Sequence, residues 1–233
     1  HVGAWAGHYD LERIATYREA AAETVSKDKV LFSDSVFSET VMNELPDDCD
    51  AVILFLGENM CCTGEAVSVA DISVPKDQEE LVRRAHSKGI PVIGVFNFGR
   101  PRALGNVIDM LDAAVYGWHN GTMAAYGMLD VLYGRKNPCG KLPMTILRHT
   151  GQLPMYYNSL NTARAVNAYY GEGKSYYDMK TGPMYSFGYG LSYTRFEYSA
   201  PICSKTEISI DELECGKTIS VSVDVKNIGD KSG

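Results

Sequence analysis

The sequence lacks long apolar runs and has few basic residues. No stretch of about 18 or more apolar residues occurs, so no segment is predicted to span a membrane. Lysine and arginine number 22 against 29 aspartates and glutamates, which gives a formal net charge of −7. This balance argues against nucleic-acid binding, which needs clustered positive charge, and it suits a neutral substrate. The 45% hydrophobic and 22% charged contents are those of an ordinary globular protein.

Cysteine motifs and nucleotide-binding motifs are also absent. The six cysteines form no C-x-x-C pair and have no zinc-type histidine spacing, so no metal site is predicted. They are too sparse for a disulfide scaffold, and they leave the redox compartment open. No G-x-G-x-x-G or G-x-x-x-x-G-K-[ST] motif follows a strand, which makes a nucleotide-binding domain a poor reading. No cofactor is therefore expected.

Both ends of the sequence are expected to be cuts through a longer protein. The chain begins at His1 without the charged and apolar regions of a signal peptide. It stops at Gly233, shortly after an alternating stretch at residues 219–225 that predicts a half-buried antiparallel strand.

The body of the chain alternates between apolar strands and amphipathic helices. Three apolar runs predict parallel strands covered on both faces, and they lie at residues 51–56, 91–96 and 113–118. Helices are predicted at residues 11–25, with Asp10 as N-cap, and at 75–88 and 123–133, and a further short strand at 29–33. This rhythm predicts an α/β fold, a three-layer sandwich with a mostly parallel sheet. Residues 196–233 are predicted to be a linker and the start of an all-β module.

Ligands of open α/β sheets bind outside the carboxyl ends of the strands. The loops that begin at Gly57, Asn97 and His119 all lie at such ends. The first of them contains Glu58 and Glu65, and either carboxyl could serve as a general acid if burial raised its pKa. The commoner alternative, a solvated loop glutamate, stays open on these grounds.

Six blocks of sequence carry a family resemblance. They are GENMCCTGEAVSVADISVP (57–75), FGRP (98–101), WHNGT (118–122), DVLYGRKNPCGKLPMTI (130–146), GQLPMYYNSLNT (151–162) and MYSFGYGLSYTRFEY (184–198). In this order they closely resemble the C-terminal half of family 3 glycoside hydrolases, most of all the bacterial periplasmic β-glucosidases. The opening GAWAG (3–7) resembles the segment that enters this domain from the preceding barrel.

The resemblance implies a retaining β-glucosidase-like enzyme with its active site between two domains. A barrel aspartate, absent from this chain, would attack the sugar, and a glutamate of the second domain would protonate the leaving oxygen about 5 Å away. Glu65 matches the family's acid/base position, with Glu58 as the backup. Residues 1–195 would form the α/β domain, and residues 196–233 would begin a fibronectin type III-like module.

The implied partners are a β-linked glucoside or oligosaccharide and the N-terminal barrel of the same polypeptide. The isolated fragment is expected to be inactive. The resemblance suggests a periplasmic or secreted protein, and the residues leave the cytoplasm open.

Four residues are candidates for substrate binding: Trp118, His119, Tyr177 and Asp178. An aromatic ring can stack on a sugar face, although Trp118 is more often a core residue, and a tyrosine-rich loop can simply pack on its own rings. Arg100 could face the barrel or form an ion pair within the domain.

The sequence departs from the family pattern beside Glu65. Relatives typically read EAxSRAD, whereas this chain has Val67 and has Val69 in place of the arginine. Valine lacks the guanidinium's fork of donors. A non-catalytic sugar-binding or scaffold domain is therefore the alternative function.

Overall fold

A computed structural model of the chain describes residues 10–25, 30–33, 38–46, 48–59, 61–158, 176 and 178–233. The chain divides into two compact units. The first comprises His1–Asp130 and Lys141–Tyr189, and the second comprises Val131–Gly140 and Gly190–Gly233. The boundary between an α/β domain at residues 1–195 and a separate module at residues 196–233 stays a prediction.

The first unit is built on a three-stranded parallel sheet. Its strands are β1 (Val52–Gly57), β2 (Val92–Asn97) and β3 (Ala113–Tyr116), in that spatial order. In the register of the sheet, Gly57 lies opposite Asn97, and Phe96 lies opposite Tyr116. The three strands therefore end at one edge, where their following loops begin side by side.

The three predicted helices of the first unit are present with adjusted ends, as α1 (Tyr17–Thr24), α3 (Lys76–Ser87) and α4 (Ala124–Leu132). A further helix, α2 (Ser38–Glu44), was not predicted. Short 3-10 turns occur at Leu11–Arg13, Ile108–Met110 and Thr150–Gln152. The helix α3 ends before Gly89, whose φ of +72° suits the glycine after a helix.

Helices cover both faces of the sheet. On one face, Val52, Leu54 and Leu56 point into a buried core shared with Val82 and Ala85 of α3. Because alternate strand residues point to opposite faces, Phe55 points the other way. Its ring stacks on Tyr17 of α1 with ring centroids 3.9 Å apart. The predicted α/β class with a parallel sheet is confirmed.

Two predictions near the N-terminus were wrong. The helix α1 begins at Tyr17 because Thr16 and Glu19 form a capping box, with the Thr16 hydroxyl accepting from the Glu19 N–H. The carboxylate of Asp10 instead accepts from the N–H of Glu12. Residues 30–33 are not a strand.

The second unit contains paired antiparallel strands. In it, β4 (Phe196–Tyr198) pairs with β7 (Val225–Asn227), and β5 (Ile202–Cys203) pairs with β6 (Val221–Ser222). Between these strands lies α5 (Ile210–Glu214), which was not predicted. The predicted strand at residues 219–225 is divided between β6 and β7. Antiparallel structure at this end is confirmed, and the likeness to fibronectin type III stays a prediction.

None of the helices in the described ranges is long and apolar enough to cross a membrane.

Candidate active site

The loop after β1 starts from a fixed strand end. The side-chain amide of Gln78 on α3 accepts from the N–H of Gly57 at 3.1 Å and donates to the Gly57 carbonyl at 2.7 Å. These two bonds occupy the outer edge of β1 as a neighbouring strand would. The position of the next residue, Glu58, is therefore set by both the sheet and α3.

Glu58 is a buried carboxylate between two arginines. Its side chain is only 1% exposed, and Nε of Arg100 lies 3.2 Å from its Oε1. The same oxygen is ion-paired with Nη2 of Arg102, whose side chain is 5% exposed. The other oxygen accepts from the N–H of Gly99 at 3.1 Å. A buried charge needs such compensation, because desolvation without partners is costly.

The two arginines also bind the loop that carries Glu65, defined here as residues 61–73 and called the Glu65 loop. Nη2 of Arg100 donates to the carbonyl of Cys62 at 2.7 Å and to that of Val67 at 3.4 Å. Nη1 of Arg102 donates to the carbonyls of Ser73 at 3.2 Å and Asp71 at 3.4 Å. The loops after β1 and β2 are thus joined through Glu58 and its two partners.

Tyr116 at the end of β3 fixes the backbone between these arginines. Its hydroxyl accepts from the N–H of Arg102 at 3.0 Å and donates to the carbonyl of Arg100 at 2.7 Å. Burial raises the pKa of Tyr116, so the phenol keeps its proton for that second bond. The guanidinium of Arg102 also lies over the ring of Phe98, 5.3 Å from the centroid.

Glu65 has the opposite environment from Glu58. It is exposed on the Glu65 loop, and its carboxylate has no hydrogen bond or ion pair with any residue that the structure describes. It stands between two left-handed residues, Gly64 with φ of +124° and Ala66 with φ of +60°. Left-handed backbone is unfavourable for alanine, so the surroundings must hold this kink.

The end of the Glu65 loop is held by Asp71 and Thr150. One oxygen of Asp71 accepts from the N–H of Ser73 at 2.9 Å and from the hydroxyl of Thr150 at 2.8 Å. These donors, the Ser73 N–H first, lower the pKa of Asp71 to about 2. The Thr150 oxygen in turn accepts from the N–H of Ile72 at 3.1 Å.

The residues predicted to contact the sugar differ in how far they are exposed. Trp118 is half-buried, with φ of +53°. Its side chain packs against the core, with its ring centroid 4.3 Å from that of Tyr116. His119 is exposed at the same strand-end edge. Its imidazole packs against Gly99 so closely that a Cβ at position 99 would lie only 2.5 Å from the His119 Nε2. Asp178 is exposed, and Tyr177 lies outside the described residues.

Sequence reasoning named Glu58, Glu65 and Arg100 and missed Arg102, Tyr116 and Thr150. Of the two alternatives for Arg100, the structure shows the ion pair within the domain. A signal for Arg102 was present, because a second arginine stands two residues after Arg100 in the loop that follows a predicted buried strand. No local pattern indicated Thr150.

Within the described ranges, no group of three or more histidine, cysteine, aspartate or glutamate side chains could hold a metal ion.

Comparison with known proteins identifies a family. The family model described as "Glycosyl hydrolase family 3 C-terminal domain" matches residues 1–193. A periplasmic β-glucosidase of Salmonella typhimurium is 38% identical over 186 residues, which cover 79% of this chain and 24% of that protein. A β-xylosidase of Formosa agariphila is 34% identical over 202 residues, covering 87% of this chain and 26% of its own length.

A similar solved structure is the β-glucosidase from Listeria innocua in complex with isofagomine. The two structures superpose with a TM-score of 0.80 at 31% sequence identity. The superposition covers 100% of this chain and 32% of the Listeria innocua chain. The chain spans about a quarter of the length of these curated relatives. The chain belongs to glycosyl hydrolase family 3, and its residues 1–193 match the C-terminal domain of that family.

Proposed function

We propose that this chain supplies the general acid/base, Glu65, and part of the sugar-binding cleft of a retaining β-glycosidase. The substrate would be a β-linked glycoside, a glucoside or oligosaccharide first, since the relatives are named β-glucosidases and β-xylosidases. One observation carries the proposal: an exposed carboxylate, with no ion pair to any residue in the described ranges, stands on an anchored loop beside the carboxyl edge of a parallel sheet. That edge is where α/β sheets bind ligands.

The contrast with Glu58 supports Glu65 as the acid. A general acid must come within about 2.6–3.2 Å of the oxygen that it protonates. The Glu58 side chain is 1% exposed and faces Arg100, Arg102 and the Gly99 N–H. It could reach a glycosidic oxygen only by leaving these partners, whereas Glu65 needs no such rearrangement.

The nucleophile would come from a barrel domain of the same polypeptide, outside this chain. Retaining chemistry needs two carboxyls about 5–5.5 Å apart, so that domain must bring its aspartate to Glu65. Glu65 would first protonate the leaving oxygen and then remove a proton from the water that releases the sugar. His119 and the half-buried Trp118 would contact the sugar, joined by Tyr177 and Asp178.

The alternative function, a non-catalytic sugar-binding domain, is motivated by Val69 in place of the family's arginine. In this structure both Val67 and Val69 are half-buried, and the Val67 carbonyl is bound by Arg100. The Glu65 loop is therefore anchored without an arginine at position 69, which favours retained catalysis.

The test compares Glu65→Gln with Glu58→Gln in the complete polypeptide. We expect Glu65→Gln to slow hydrolysis of glycosides with poor leaving groups by about 10²- to 10⁴-fold, because acid catalysis is lost. Glycosyl-enzyme formation from an activated aryl glycoside, which needs no acid, should persist while its breakdown slows. Glu58→Gln should instead lower stability, because it leaves Arg100 and Arg102 without their buried counter-charge.

Unchanged turnover of natural glycosides by Glu65→Gln would contradict the assignment. Absence of any β-glycosidase activity in the unaltered polypeptide would favour the non-catalytic alternative.

A further inference from the structure

Glu65 stands on a loop that has no regular secondary structure, and its local backbone is unfavourable. Ala66 has φ of +60°, and Gly64 before Glu65 has φ of +124°. A non-glycine residue keeps such a conformation only where neighbouring contacts impose it. The residues that impose it therefore decide where the Glu65 carboxylate points.

Arg100 contacts the Glu65 loop on both sides of this kink. Its Nη2 donates to the carbonyl of Cys62, before Glu65, and to that of Val67, after it. Within the described residues, these are the guanidinium's two contacts with the loop, and both carbonyls flank the acid/base candidate. One planar group thus spans the segment from residue 62 to residue 67.

Arg100 is itself held in place. The carboxylate of Glu58 is ion-paired with the Nε of Arg100 at 3.2 Å. The hydroxyl of Tyr116 donates to the backbone carbonyl of Arg100 at 2.7 Å. Glu58 is in turn fixed by Arg102 and by the N–H of Gly99. A buried ion pair with several bonds of this kind is rigid, since breaking it leaves an uncompensated charge.

We propose that Arg100, held by the buried Glu58–Arg102 pair, is a positioning residue that orients Glu65 through the backbone on both sides of it. The proposal rests on the proposed role of Glu65 as acid/base. Arg100 has no contact with the Glu65 carboxylate in the structure and acts through the Cys62 and Val67 carbonyls. Glu58 is then a structural anion whose function is to hold that arginine.

Arg100→Met in the complete polypeptide is the preferred test, because the Arg100 side chain is 21% exposed and Glu58 keeps Arg102 and the Gly99 N–H. A catalytic group displaced by about 1 Å can lose about 10²-fold in rate. We expect kcat for a glycoside with a poor leaving group to fall about tenfold to a hundredfold. The burst from an activated aryl glycoside, and the KM for the glycoside with the poor leaving group, should stay close to those of the unaltered protein.

Two further variants and one structural measurement complete the test. Arg100→Lys should recover part of the rate, because one ammonium can still reach one carbonyl. Arg83→Met, at an exposed arginine of α3 paired with Glu80, should change neither substrate's kinetics. Hydrogen–deuterium exchange of peptides covering residues 61–73 should become faster in Arg100→Met and remain unchanged in Arg83→Met.

The outcomes separate this proposal from the one it rests on. Equal losses in the rate of glycosyl-enzyme formation for poor and activated leaving groups in Arg100→Met, or no loss at all, would overturn the positioning role while the Glu65→Gln result stands. If Glu65→Gln leaves hydrolysis of natural glycosides unchanged, the acid/base assignment fails first, and the positioning role fails with it.

Discussion

Glu58 and Glu65 are two carboxylates of one loop region that lie in opposite environments. Glu58 lies next to the end of β1, where the sheet and Gln78 fix the backbone and two arginines surround the side chain. Glu65 lies beyond that support and is exposed. Glu58, the first residue after β1, is ion-paired with both guanidiniums, whereas Glu65 makes no ion pair with a residue that the structure describes.

The sequence could name these glutamates and could not assign their partners. Both were candidates because they follow a buried strand, and the family pattern favoured Glu65. The partner of Glu58 at Arg102 is 44 residues away along the chain, so only the fold brings the two side chains together. The same is true of Asp71 and Thr150, which are 79 residues apart.

Asp71 makes the anchoring of the Glu65 loop sensitive to acid. Its pKa is lowered from 3.8 to about 2, chiefly by the Ser73 N–H and the Thr150 hydroxyl. A carboxyl whose pKa is depressed on folding contributes stability above its unfolded pKa, and this contribution is lost as the pH falls through the folded value. We expect the contribution of Asp71 to be complete above about pH 4 and to decline toward pH 2.

Urea unfolding of the chain as a function of pH measures this contribution. Asp71→Asn should flatten the stability curve between pH 4 and pH 2. Thr150→Val keeps the carboxyl but removes one donor, so it should narrow the window in which stability declines. Identical slopes for Asp71→Asn and the unaltered chain would refute the linkage.

At the scale of elements, strands and helices differed in how well the sequence predicted them. The strands β1 and β2 were predicted to within one residue because each is an uninterrupted apolar run bounded by polar turns. The start of α1 was misplaced because both Asp10 and Thr16 are N-cap residues by type. The capping box of Thr16 and Glu19 determines where the helix begins. The same signature, Ser209 with Glu212, begins α5 and was overlooked.

The contact between α3 and the end of β1 is predicted to matter for stability. Gln78→Leu would leave the half-buried N–H and carbonyl of Gly57 without their partner. An unsatisfied buried polar group costs about 1–3 kcal/mol, so the free energy of unfolding should fall by that amount. Urea unfolding is the measurement.

The control for this prediction lies on the same helix. His86→Leu, at an exposed position of α3, should change the free energy of unfolding by no more than about 0.5 kcal/mol. Equal effects of Gln78→Leu and His86→Leu would show that the bonds to Gly57 contribute nothing.

At the scale of the whole molecule, the chain provides one half of the proposed chemistry. It spans about a quarter of its curated relatives, and the proposed nucleophile lies in the part it does not include. The isolated chain should therefore hydrolyse no aryl glycoside, and it serves as the blank for every assay of the complete polypeptide. Anchoring of the Glu65 loop would serve this proposed function, since the proposed acid would have to meet a carboxyl from another domain.

Chemical rescue tests the assignment of Glu65 most directly. In Glu65→Ala, an activated aryl β-glucoside should form the glycosyl-enzyme but release the sugar slowly, because no base activates water. Azide needs no base, so adding it should restore turnover and yield β-glucosyl azide, identified by NMR. Normal turnover of Glu65→Ala without azide, and no azide product with it, would contradict the assignment.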